Sequence, residues 1–304
     1  MRVHGNSMFT AFKAIAQGSG LSERKPCQDA SDALVLDNRI GVALIADGHG
    51  SKRHFRSDVG SAFAVESAKS AVMQFIDIGK QKKTAFWGDG EKKDEKKIEE
   101  RLIQLERNII FSWRERVLQH IKAVPFTEEE LCLSAIQNIN TDDEDDLVAV
   151  YGSTLLVAVL AEHFWFAVQI GDGACIIFTK DGKAECGVSK DERLEFGRTT
   201  SLCSVNALEN FRHNFGGSIA GITVASDGVT DSFLPEKYID FNIQLFRNFI
   251  NYPNQAQQNL QDFLPKLSER GSNDDVSIAG VFNITKGKKI IERSISHGSN
   301  GSFV

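Results

Sequence analysis

No run of apolar residues in this 304-residue chain approaches the ~20 needed to span a bilayer. The apolar stretch at residues 8–16 is broken by Lys13 and lacks a signal-peptide layout. Cysteine is equally sparse. Cys27, Cys132, Cys175, Cys186 and Cys203 are an odd five with no C-x-x-C pair, which fits neither a disulfide framework nor a structural zinc site. A reducing cytoplasm without a membrane partner is therefore expected. A basic excess is missing too: 35 Lys and Arg face 41 Asp and Glu, a net charge of −6. That argues against nucleic-acid binding through a general positive field.

What the chain does have is aspartate at the ends of apolar runs. The clusters are Cys27-Gln28-Asp29, Ala46-Asp47-Gly48-His49-Gly50, Ile170-Gly171-Asp172-Gly173, Ser226-Asp227-Gly228-Val229-Thr230-Asp231 and Asn273-Asp274-Asp275. Singly, an Asp-Gly pair is turn chemistry. Carboxylates that finish several strands can converge, and a fold tolerates the repulsion mainly when hard divalent cations such as Mg²⁺ or Mn²⁺ neutralise it.

With 41% hydrophobic residues the chain can bury a sizeable core, and residues 1–285 read as a single domain. Residues 33–36 and 40–46 flank the turn residues Asp37-Asn38 and predict a hairpin of buried strands, leaving Asp47 at a strand end. Apolar spacing by threes and fours predicts helices over 58–78 and from Ile98 to Ile121. Thr127-Glu128-Glu129-Glu130 is a capping box opening a third. The charged stretch at about 79–100 and the acidic run 142–146 read as solvated surface, and the Gly88-Asp89-Gly90 within the former lacks a preceding strand. Strands follow at 154–161, 164–170, 175–179, 219–225 and 276–282, with a helical segment over 235–269. Short hairpins between strands make the sheets antiparallel and argue against a doubly wound nucleotide fold. Residues 184–217 read as polar and irregular, and 286–304 as a mobile tail.

The order of these clusters resembles the metal-dependent type 2C protein serine/threonine phosphatases, especially their bacterial branch. The landmarks are Arg24 five residues before Asp29, Asp47-Gly48-His49-Gly50, Tyr151-Gly152-Ser153-Thr154, Gly171-Asp172, Ser226-Asp227-Gly228 with Asp231, and Asn273-Asp274-Asp275 before Val276-Ser277-Ile278. Departures are Gln28 for a frequent glutamate, Gly173 for serine and Asp275 for asparagine.

The resemblance implies an α+β fold: a four-layer α-β-β-α sandwich of two packed antiparallel sheets flanked by helices, with a flap at 184–217. It also implies hydrolysis of phosphoserine and phosphothreonine in proteins by a metal-bridged water. Two Mn²⁺ or Mg²⁺ ions ~3.5–4 Å apart would form the core site. Asp47 would bridge them, the Gly48 carbonyl would serve one, and Asp227 and Asp274 the other. Asp172 with Asp227 and Asp231 would hold a third ion, while Asp29 and Gln28 would lie behind the ligands. His49, with an ordinary pKa near ~6.5, suits the general acid. Arg24 would clamp phosphate, with Lys25 the alternative in that loop. A catalytically weak phosphatase-like module that binds phosphoproteins is the alternative. A two-metal nuclease is disfavoured because no basic strip interleaved with aromatics is present.

Overall fold

The computed structural model describes residues 8–20, 26–82, 94–191 and 199–297. Among the described residues, ten strands form two five-stranded antiparallel sheets. The first contains β1 (Phe9–Ala16), β10 (Val276–Asn283), β9 (Gly221–Ala225), β6 (Ala174–Phe178) and β7 (Ala184–Cys186), in that spatial order. The second contains β2 (Asp29–Leu36), β3 (Ile40–Asp47), β4 (Leu155–Ala161), β5 (Trp165–Ile170) and β8 (Arg212–Gly216).

An apolar layer including Ile45, Leu156, Ala158, Val224, Ala279 and Val281 lies between the sheets. Helices α1 (Ser57–Lys82) and α2 (Glu95–Ala123) cover the outer face of the second sheet, and α7 (Pro235–Asn251) and α8 (Pro253–Arg270) that of the first. The result is the four-layer sandwich expected.

Local chemistry explains the strand ends that matter. Asp37 and Asn38 both take positive φ, 50° and 57°, and Arg39 N–H closes onto the Leu36 carbonyl at 3.0 Å. This tight hairpin turn favours Asn and Asp. It fixes the β2–β3 register so that Asp29 lies opposite Asp47. Helix α2 buries Ile98, Leu102, Leu105, Ile109, Trp113 and Val117, the stripe its spacing predicts. Trp113 Nε1 donates to the Gly60 carbonyl at 2.9 Å, anchoring α2 to α1. Removing a buried aromatic of this size typically costs about 3–5 kcal/mol.

Several segments depart from the sequence reading. Residues 9–16 form β1, paired along its whole length with β10. The acidic run supplies α4 (Glu144–Ala149), where Asp143 caps the helix by accepting from Asp145 and Asp146 N–H. The stretch 184–217 is not wholly irregular: it holds β7, a short α5 (Ala207–Asn210) and β8. Both strands are paired sheet edges. The segment 235–269 is two helices, broken at Tyr252 because Pro253 suits a helix start. Residues 284–297 form α9, a helix the sequence reading did not mark. Ile290 and Ile291 pack onto the apolar layer beneath α7, while Lys288, Lys289 and Arg293 stay exposed. Gly88-Asp89-Gly90 lies outside the described residues.

Candidate active site

The sheets bring together aspartates that are far apart in sequence. Asp47 ends β3, opposite Asp29 at the start of β2. Asp227 follows β9 and opens the short helix α6 (Asp227–Thr230), and Asp172 lies in the β5–β6 turn. The carboxyls of Asp47 and Asp227 meet within hydrogen-bonding reach. Two carboxylates share a hydrogen bond only if one keeps a proton. Asp47 is accordingly pushed well above the ordinary carboxylate range, first by burial and then by the charges of Asp29 and Asp227. Burial and the charge of Asp172 raise Asp227 to about 6.

Asp29 is fully enclosed, and burial raises it to about 7, with the Asp275 and Asp227 charges adding to the effect. The Ser277 and Ser226 hydroxyls face it and ease its charge, yet neither meets its oxygens in full hydrogen-bonding geometry. Buried carboxylate oxygens without partners are costly. No trio of His, Cys, Asp or Glu side chains among the described residues encloses an ion by itself.

The backbone around Asp47 is tightly fixed. Its N–H donates to Thr154 Oγ1 at 3.0 Å. Its carbonyl accepts from Thr154 N–H at 2.8 Å and from the Ser153 hydroxyl at 3.0 Å. Gly48 N–H donates to the Gln28 carbonyl at 2.9 Å. A Cβ at position 48 would sit 2.5 Å from the Ser57 carbonyl oxygen, so only glycine permits this approach. Gly171 takes φ +105°, and a Cβ there would strike Thr154. The Asp172 turn is thus packed directly against the Asp47 loop.

The His49 ring packs against that of His54, with centroids 4.9 Å apart, over Gly152. Burial, aided by His54, lowers its pKa to about 3, so the imidazole is neutral, unlike the free histidine the sequence suggested. Gln28 ties the neighbouring loops together: its side-chain amide donates to the His49 carbonyl at 3.1 Å and to the Ser57 hydroxyl.

The last cluster divides cleanly. Asp275 is buried, and its two oxygens accept from Gly18 N–H at 2.7 Å and Gln28 N–H at 2.6 Å. Asp274 is exposed, and its charge reaches Asp227. Asp231, one turn beyond Asp227, is exposed, and its carboxylate accepts from the Thr230 hydroxyl at 3.4 Å. Arg24 and Lys25 lie outside the described residues.

The protein phosphatase 2C family model matches residues 17–265. This chain belongs to that family. No curated protein sequence matches it. Among solved structures, the fold is similar to serine/threonine phosphatase Stp1 from Staphylococcus aureus, with TM-score 0.56 and 14% identity over 93% of this chain and 98% of that one. It is also similar to the Mycobacterium tuberculosis serine/threonine phosphatase PstP/Ppp, with TM-score 0.54 and 15% identity over 90% and 98%. A PstP catalytic domain in complex with two manganese ions matches with TM-score 0.54 and 16% identity, over 90% and 97%. Family membership makes this protein a metal-dependent protein serine/threonine phosphatase. No described helix is long and apolar enough to cross a membrane.

One residue of the phosphatase that sequence reasoning missed is Arg56, just before α1. Its guanidinium is buried and donates to both Glu130 oxygens at 2.7 and 2.8 Å, to the Tyr151 hydroxyl at 2.8 Å, and to the Val124 and Pro125 carbonyls at 2.8 and 3.1 Å. It also lies 4.6 Å from the Phe126 ring centre. Tyr151 begins the segment whose Ser153 and Thr154 hold Asp47, so Arg56 braces the site from behind. Glu130 serves twice, because it also completes the capping box with Thr127 at the start of α3 (Glu128–Ile136).

Proposed function

We propose that this phosphatase removes phosphate from phosphoserine and phosphothreonine in proteins, using Mn²⁺ or Mg²⁺ held by the aspartate cluster. Asp47, the Gly48 carbonyl, Asp227 and Asp274 would hold two ions, and Asp172 with Asp227 and Asp231 a third, weaker one. The observation that carries this reading is the pairing of Asp47 with Asp227 beside Asp29. One buried and two half-buried carboxyls repel one another here, and divalent cations would neutralise that repulsion. Bound ions supply charge neutralisation and make water acidic enough to attack near neutral pH.

The remaining work belongs to the side chains. Gln28 and Asp275 fix the loop that carries Asp29, while Thr154 and Ser153 hold Asp47 in place. Arg24 is proposed to bind the phosphoryl oxygens as a fork. His49 is proposed to protonate the departing serine or threonine oxygen. Its neutral state means the proton must be taken up once the phosphate dianion brings negative charge alongside.

That neutrality also favours a second reading, a catalytically weak module that binds phosphoproteins. The deciding experiment is phosphate release from a phosphothreonine peptide with Mn²⁺, with Mg²⁺ and with chelator. Metal-dependent turnover is expected, and binding of the peptide without release would establish the module. The acid role is tested by His49→Ala. The variant should slow the phosphothreonine peptide at least about tenfold more than p-nitrophenyl phosphate, whose leaving group needs no proton. Equal losses would remove His49 from that role. No nucleic-acid or membrane partner is part of this proposal.

A further inference from the structure

The main chain of His49 is tied down, but its ring is not. Its N–H donates to the Gly152 carbonyl at 3.0 Å, and its carbonyl accepts from the Gln28 amide at 3.1 Å. Among the described residues, no group hydrogen-bonds either ring nitrogen. A side chain held only at its backbone can visit several rotamers unless its neighbours block them.

The neighbours that block it are His54 and Gly152. A Cβ at position 152 would lie 2.7 Å from His49 Cδ2, and 2.6 and 2.9 Å from His54 Nδ1 and Cε1. Both imidazoles therefore rest on the bare backbone of Gly152, tilted at 60° to each other. No side chain larger than glycine leaves room for the pair.

His54, unlike His49, is anchored at both backbone and ring. Its N–H donates to the Ser51 carbonyl at 2.9 Å, and its carbonyl accepts from Ser57 N–H at 3.0 Å. Its Nδ1 meets the Ala149 carbonyl. A carbonyl can only accept, so Nδ1 carries the proton. Gly152 N–H donates to the same Ala149 carbonyl at 3.0 Å, which joins the wall and the floor of the His49 ring into one piece. None of these bonds reaches an aspartate of the cluster, so any effect of His54 on the reaction passes through His49.

We propose that His54 is a positioning residue: it walls the His49 ring against Gly152 and holds it in the orientation from which it protonates the departing serine or threonine oxygen. The inference rests on the acid role given to His49 above. A proton donor acts only when it lies within about 3 Å of the oxygen it serves, so a ring free to turn loses most of its effect.

The test is a double-mutant cycle on the full-length protein with Mn²⁺, read with a phosphothreonine peptide and with p-nitrophenyl phosphate. His54→Ala should lower kcat on the peptide at least about tenfold more than on p-nitrophenyl phosphate, with the peptide KM within about twofold. In the His49→Ala background the same substitution should add almost nothing, because no ring is left to hold. His54→Phe keeps a ring over Gly152 without the Ala149 bond, and should recover most of the difference. His54→Asn keeps a donor for Ala149 without the ring; it should behave as His54→Ala while melting near the parent. In the metal-free protein, a nuclear Overhauser contact between the His49 ring and the Gly152 α-protons should be strong in the parent and in His54→Phe, and weak in His54→Asn.

Equal slowing of both substrates by His54→Asn, or a loss that adds in full to that of His49→Ala, overturns the inference and leaves the acid and the phosphatase reading standing. Recovery with Asn and not with Phe does the same, because it reduces His54 to a loop tie. If His49→Ala itself slows both substrates alike, the acid role falls and this inference with it, while metal-dependent turnover keeps the phosphatase reading. No turnover of either substrate by the parent removes all three.

Discussion

Two buried charge clusters flank the loop from Asp47 to Ser57, and they are built on opposite terms. Behind the loop, the Arg56 guanidinium meets a carboxylate, a phenol and two backbone carbonyls. In front of it, Asp47, Asp29 and Asp227 raise one another's pKa, and among the described residues no basic side chain offsets them. The satisfied cluster has nothing left to bind and serves position alone. The unsatisfied one stays acidic only because the surrounding fold holds it, and that need for positive charge is the functional signal. An acidic cluster next to a fully matched arginine also shows that proximity of charges alone does not distinguish a site from a brace.

The sharpest break in this comparison is Asp47→Asn. It removes a charge and almost no volume, so kcat should fall by on the order of 10³ or more. In chelator the variant should melt no lower than the parent, because a repulsive buried charge has gone. A melting point several degrees below the parent in chelator would show that Asp47 also has a stabilising role.

Arg56→Met should do the reverse. Taking one partner from a buried ion pair leaves Glu130 and the Tyr151 hydroxyl uncompensated, and such losses run to about 3–5 kcal/mol. Urea unfolding measures this. Turnover per folded molecule should fall only modestly, through the looser Tyr151–Thr154 segment. A stable variant without activity would place Arg56 among the groups acting on substrate.

Asp274 and Asp275 repeat the contrast between adjacent residues. Asp274→Asn should weaken Mn²⁺ affinity sharply in a calorimetric titration and leave the melting point unchanged. The sequence alone suggests that Asp275→Asn is harmless, since asparagine is frequent there in relatives. The structure gives a different expectation, because both Asp275 oxygens accept backbone N–H groups. Replacing one oxygen with an NH₂ donor sets donor against donor, at about 1–3 kcal/mol. The melting point should drop while ion affinity per folded molecule changes little.

pH offers a milder probe of the same difference. Asp29 and Asp227 are raised in the folded protein, to about 7 and about 6, so the native state holds their protons more tightly than the unfolded chain does. Their contribution to stability is full below the ordinary carboxylate pKa of about 4 and is lost as pH rises through about 6 to 7. In chelator the melting point should therefore decline over that interval, and saturating Mn²⁺ should flatten the decline by replacing the protons. Arg56→Met should shift the whole curve down without altering its slope. A curve in chelator that rises with pH would contradict the charge arrangement.

What could be read from the sequence follows from how local its cause is. The end of β3 at Asp47 and the α2 stripe were legible because turn residues and three-to-four spacing act over a few positions. The Arg56 brace was not, since its partners lie 68 to 95 residues away and nothing in His54-Phe55-Arg56 marks it. Strand β1 went unread for a similar reason. Its pairing partners are 260 to 274 residues distant, and its burial pattern skips between Phe9 and Phe12 instead of alternating. The convergence of Asp29, Asp47, Asp172 and Asp227 was suggested by family order, while the upward push on Asp47 and Asp227 comes from burial and mutual charge that only the fold creates. The same is true of His49, whose neutral state is a product of burial and of His54.

The smallest effect should come from Asp231. It shares a helical turn with Asp227, and in the family pattern both belong to the third ion, yet their surroundings differ. Asp227 is half-buried and shaped by Asp172, Asp47 and Asp274, whereas the Asp231 carboxylate is exposed and accepts a long bond from Thr230. Solvent screens an exposed carboxylate, so Asp231→Asn should change stability by no more than about 0.5 kcal/mol. A calorimetric titration should show the weakest Mn²⁺ event diminished and the tighter ones unchanged, with kcat at saturating Mn²⁺ within about twofold. Asp172→Ala should remove the same weak event but also lower the pKa of Asp227, because its charge acts directly on that carboxyl. If Asp231→Asn instead disturbs the tight sites, the division between an inner, buried pair and an outer, exposed ion is wrong.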